Sequence, residues 1–166
     1  MSILNKIYLQ QDGLQVGKNQ LTASAGNILI GNNFAVAGNS TFSNTVTVNS
    51  SLKSNQFTET RSVPTISGNS LTIDLSSGNI FDVTVGSSIS SMTFSNPPAS
   101  GTAMGFTIKF TYSATSGYTA TWPSSVKWPG GVAPSLTATI NKTDVFVFLT
   151  VDGGLNYYGY IGGLNA

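Results

Sequence analysis

The chain contains no cysteine and no histidine. The first absence removes disulfides and thiolate chemistry. The second removes the usual general base near neutral pH, and the two together remove most zinc sites. Charge is nearly as scarce. Seven basic and six acidic residues make up 8% of 166 residues, with a net charge of +1. An ordinary soluble domain carries roughly 25%. No basic run exists, so the electrostatic footprint of a nucleic-acid binder is missing. Scarce lysine and glutamate argue against long solvent-facing helices, which need good helix formers and charge pairs on the exposed side. No apolar run approaches the roughly 20 residues of a membrane span, so no membrane insertion is expected. The opening "MSILNKIYLQQDG" lacks a basic stretch followed by an apolar core, so no secretory signal is expected. The sequons at Asn39, Asn49 and Asn141 would matter only in a eukaryotic secretory pathway.

What remains is Ser, Thr, Asn and Gly, interleaved with short apolar groups. Residues 1–12 form a lead in which Ile3, Leu4, Ile7, Tyr8 and Leu9 are too few to enclose a core. Two uses fit it: an arm docking on a neighbour, or a strand added to the chain's own fold. Residues 13–52 alternate apolar pairs and triplets with Gly-Asn and Asn-Ser steps, as at Gly26-Asn27, Gly31-Asn32 and Gly38-Asn39. Phe34/Val36 and Val46/Val48 show the strand alternation. This is a degenerate repeat of very short strands whose apolar side cannot be buried by one copy. Three parallel copies around one axis would bury it, which predicts a trimerising stem. A single-chain solenoid is the competing solution. Residues 53–64 hold Lys53, Glu59 and Arg61 ahead of Pro64 and read as a connector.

Residues 65–166 have the pattern of a β domain. "SLTIDL" (70–75) and "IFDVTV" (80–85) flank "SSGN", a hairpin signal. "SMTF" (91–94) follows, then the stiff loop "NPPASGTA". "MGFTIKFTY" (104–112) places Phe106, Ile108, Phe110 and Tyr112 on one side and Thr107, Lys109 and Thr111 on the other. "YTATW" (118–122) and "LTATI" (136–140) repeat the alternation. "DVFVFLTV" (144–151) is apolar on both sides, as a central strand would be. "DGGLN" turns the chain into "YYGYIG" (157–162). About eight strands with frequent turns predict an all-β fold: a short trimeric β-repeat stem followed by an antiparallel, jelly-roll-like β-sandwich.

Chemistry is thin. The carboxylates are Asp12, Glu59, Asp74, Asp82, Asp144 and Asp152. Asp74 and Asp82 fall on adjacent predicted strands, but both read as solvated rather than as an acid–nucleophile pair. "DGGLN" lacks the spacing of a calcium loop and reads as a turn, and no phosphate loop is present. No catalytic residue, cofactor or metal site is expected. The tryptophans pose a choice. Trp122 shares the alternation of Tyr118 and Ala120, which points it inward, and the prolines after Trp122 and Trp128 stop strand pairing, as at a corner. The other reading is a sugar-stacking platform of Trp122, Trp128, Tyr158 and Tyr160.

Three stretches carry a resemblance: "FSNPPASGTA", the W-P-x-S-V-K-W-x-G-G-x-A-P run from Trp122 to Pro134, and the terminal "DGG…YYGY". Over residues 65–166 the chain resembles a C-terminal module of bacteriophage virion proteins. That module is frequent in tail-fibre and other appendage proteins, especially of phages infecting cyanobacteria. The Gly-Asn cadence upstream is similar to the short repeats that precede such modules in trimeric fibres. The resemblance implies a β-rich, homotrimeric virion component, made in the host cytoplasm, bound to other virion proteins of the baseplate, tail or capsid. It carries over no active-site residue. Short length separates this chain from long fibres. The expected role is a short tail fibre for host-surface attachment, with a capsid decoration or cement protein and a carbohydrate-binding module for a host cell-surface glycan as alternatives.

Overall fold

The computed structural model describes residues 39–42 and 46–166. The docking residues Ile3, Leu4, Ile7, Tyr8 and Leu9, and the predicted Phe34/Val36 strand, lie outside them. The chain divides after Leu52 into two units. In the first, the described residues form no strand, and Phe42, Val46, Val48 and Leu52 are exposed.

The second unit, Lys53–Ala166, holds eight strands. They are β1 (Arg61–Ser62), β2 (Ser70–Asp74), β3 (Ile80–Val85), β4 (Ser91–Ser95), β5 (Met104–Tyr112), β6 (Val126–Lys127), β7 (Thr143–Thr150) and β8 (Tyr157–Gly163). One 3-10 turn, Pro129–Gly131, is the sole helical element among the described residues. The all-β expectation holds, but the sheet is mixed rather than antiparallel. Six strands run in the order β1-β3-β5-β7-β8-β6, and β2 and β4 form a separate pair. β1, β3 and β5 are mutually parallel, as are β2 and β4, and β6 with β8. Only β5–β7 and β7–β8 are antiparallel.

From Arg61 to Tyr112, then, consecutive strands alternate between two sheets and return parallel to themselves, a short coil. The expected hairpin of residues 70–85 does not form, because β2 and β3 belong to different sheets. Two local facts explain this. Asp74 Oδ1 accepts from the Ser76 amide at 3.0 Å and its hydroxyl at 2.7 Å, closing a turn on the side chain. The amides of Asn79 and Ile80, at the start of β3, then donate to the Thr60 carbonyl at 3.2 and 3.3 Å rather than to β2. Gly78 sits so close to that carbonyl that any Cβ there would collide with it. The arrangement lets both apolar rows face one core: Ile73 and Leu75 from one side, Phe81, Val83 and Val85 from the other, all buried.

Two predicted strands are replaced by irregular segments. In 118–122 one parallel bridge, Ile89 to Ala120, is formed. In 136–140 the Thr137 amide is taken by the Asp144 carboxylate at 2.7 Å, and Ala138 adopts φ 46°, which breaks an extended run. β1 takes Arg61 and Ser62 out of the predicted connector and into the sheet. On β5 the predicted alternation is observed: Phe106, Ile108, Phe110 and Tyr112 are buried. β7 is interior in strand order, yet its outer side stays open, with Val147 38% and Leu149 40% exposed.

Candidate functional site

The two tryptophans form one aromatic corner. Trp122 stacks on Phe110 at 5.9 Å and 16° and meets Phe146 edge-on at 4.9 Å. Trp128 stands edge-on to Trp122 at 5.1 Å and also contacts Phe146 and Phe148. Room for Trp128 comes from Gly159 on β8, where a Cβ would lie 2.9 Å from Trp128 Cζ3 and 3.1 Å from Phe148 Cε1. Both indole N–H groups are buried without a protein hydrogen-bond partner, so packing alone holds the rings. This is the inward geometry that the alternation of Tyr118, Ala120 and Trp122 predicts.

The tyrosines face the other way. Tyr157 and Gly159 point into the core, so Tyr158 and Tyr160 point outward, 42% and 51% exposed. Tyr158 lies opposite Leu149, and Tyr160 opposite Val147. Trp122, Trp128, Tyr158 and Tyr160 therefore do not share a surface: the sheet separates the tryptophans from the tyrosines. A shallow cleft of about 400 Å³ lies elsewhere, between residues 116–120 and 133–138, and its lining, Tyr118 and Leu136 included, carries no charge.

The described aspartates are all held ionised. At Asp74 the hydrogen bonds of Asn96 and Ser76 keep the carboxyl below the usual range. The Arg61 guanidinium does so at Asp82, helped by Lys109. Asn156 does so at Asp152, pinning the 152–156 turn as predicted, with Gly153 and Gly154 at φ 73° and 80°. Asp144 is different, being fully buried. Burial pushes its carboxyl up, but hydrogen bonds from the Thr137 hydroxyl (2.6 Å), Tyr112 (2.5 Å), and the Thr137 and Asn165 amides (2.7 and 3.0 Å) outweigh burial and leave it lowered. A general acid needs a raised value at neutral pH, and none of these four has one. No group of three metal-ligating acids, His or Cys occurs among the described residues. Sequence reasoning did not single out Asp144. The signal was present: one acid in phase with the inward Phe146, Phe148 and Thr150.

The three stretches that carry the resemblance meet in space around Tyr157. Phe94 of the first packs edge-on to Tyr157 at 4.9 Å. Val126 of the second pairs with Tyr157 itself. In the third, a Cβ on Gly154 would crowd Pro97 at 2.8 Å, and Gly153 faces Ser100. The Gly101 amide donates to Val151 at 3.2 Å. Stretches distant in sequence thus form one packed end of the unit. No protein-family model, curated protein or solved structure matches the chain.

Proposed function

We propose that this chain is a structural protein of a bacteriophage particle, a short tail fibre. In this reading residues 1–12 dock on the virion and residues 13–52 assemble three copies. The C-terminal unit, residues 65–166, faces outward for host attachment as a two-layer, sandwich-like module. The observation that carries the reading is the convergence around Tyr157. The stretches behind the resemblance are invested in one packed scaffold of Phe94, Trp128, Tyr157 and Gly159. Residues used for packing suit a display module better than a reaction centre.

The test is location. Density maps of purified particles should place the protein on the tail, and its absence from particles would reject the reading. Density on the head would instead select the capsid decoration alternative. The outward pair Tyr158 and Tyr160 supports a glycan-binding module as the remaining alternative, since exposed rings stack on sugar faces. A glycan array comparing the natural chain with Tyr160→Ala decides it: binding lost in the variant supports sugar recognition, and no binding by either chain removes it.

A further inference from the structure

β7 is apolar on both sides, and the described residues of the chain cover only one of them. Phe146 and Phe148 are fully buried, whereas Val147, Leu149 and, just past the strand, Val151 are 38%, 40% and 45% exposed. Register extends the open strip onto β8, where Tyr160 lies beside Val147 and Tyr158 beside Leu149. No charged side chain stands among these five. Three charges lie at its margins: Lys109 on β5, opposite Val145, Lys127 on β6, opposite Tyr158, and Glu59, which lines a cavity together with Gly105 and Val147. Asp82, one strand further out, is neutralised by Arg61 and Lys109.

We propose that this outer face of β7 and β8 is where a second copy of the chain packs, sheet face against sheet face. Three observations select a second copy. The first is area. With the tyrosine hydroxyls set aside, the five side chains at those exposures offer roughly 300–400 Å² of apolar surface. A standard interface buries roughly 800 Å² per partner, of which about 60% is apolar, so the strip supplies the larger part of the apolar share of one stable contact. The second is composition: two tyrosines among aliphatics, free of charge, is the make-up of an interface centre. The third is shape. The same face carries projections at Tyr158 and Tyr160 and a hollow at Gly105, opposite Leu149, where a Cβ would meet only the Phe148 carbonyl oxygen, at 3.8 Å. A patch holding both knobs and a hollow can match itself across a two-fold axis, the commonest relation between identical subunits.

This assigns a copy-to-copy contact to the C-terminal unit, separate from the stem and independent of where a particle holds the protein. The chain has no cysteine, so one introduced thiol reports the contact cleanly. In purified full-length protein, Tyr160→Cys should be joined between chains by a short bis-maleimide several-fold more than Val132→Cys, an exposed position off the strip. Adding Leu149→Lys should return the linking to the control level. Radical footprinting of the full-length protein should show Tyr158 and Tyr160 more shielded in the natural chain than in Leu149→Lys. Linking no greater than the control, or tyrosines as accessible in the natural chain as in Leu149→Lys, overturns the proposal. Shielding that appears only with added oligosaccharide also overturns it. A stem that assembles by itself fixes the effective concentration of the face in both chains alike, so the difference between them reports the β7–β8 contact and not copy number.

Discussion

Asp144 shows how much one side chain organises here. It collects four donors from three parts of the chain: Tyr112 on β5, Thr137 in the irregular segment, and Asn165 near the last residue. Replacing it by Asn puts an amide among donors and leaves some unpaired. Asp144→Asn should therefore cost about 2–4 kcal/mol, as expected for charge-assisted bonds exchanged for unsatisfied groups, read as a lower urea midpoint with an unchanged slope. The same residue gives a pH dependence. Its folded-state value lies below that of the unfolded chain, so as pH falls the unfolded chain takes up the proton first. The contribution is fully present above the unfolded value of about 4 and is lost as pH drops through the lower folded value. Asp74, Asp82 and Asp152 shift the same way. Acid unfolding should thus be shallower in Asp144→Asn than in the natural chain, but still present. Gly159 is the second sensitive residue. Gly159→Ala must push Trp128 off β8, at about 1–3 kcal/mol for overpacking, with a red shift of tryptophan emission.

Among the elements, the coil from β1 to β5 depends on one close approach. Gly78→Ala drives a methyl group into the Thr60 carbonyl that caps β3. The expected loss is about 1–3 kcal/mol, with faster amide exchange at Asn79 and Ile80, the two donors to that carbonyl. The strands of this coil were legible in the sequence: 70–75, 80–85, 91–94 and 104–112 fall within a residue of the observed ones. Their pairing was not. Alternation says which side chains point inward; it does not say whether the next strand lies beside or across the core. "SSGN" fits a hairpin, and what decides against one is a carbonyl some 20 residues upstream. Similarly, 136–140 reads as a strand until the Asp144 carboxylate takes the Thr137 amide. The Trp122 corner was readable from phase and proline. The partition of the four aromatics between two sides followed only once β8 was placed in the sheet. The two-residue strands β1 and β6 carry too few residues for any periodic signal.

For the molecule as a whole, the shortage of charge has a measurable effect. The ion pairs among the described residues are Arg61–Asp82 at 2.6 Å and Lys109–Asp82 at 3.4 Å, with both cations well exposed. Such pairs contribute about 0–1 kcal/mol and are screened. Moving from dilute to molar sodium chloride should therefore change unfolding stability by less than about 1 kcal/mol. The proposed docking role adds another expectation: deleting residues 1–12 should leave unit 53–166 folded, by unchanged tryptophan emission, while abolishing incorporation into particles. The coil has a last consequence. Arg61 sits opposite Ile80, and Ser70 opposite Ser91, so the first turn pairs only with the turn after it, while β4 and β5 carry the contacts to β7 and β8. β1 is an edge of that stack. Extra windings can be spliced in ahead of Arg61 without repacking β7 and β8, so lineages or designers can adjust the reach of the module while its business end stays the same.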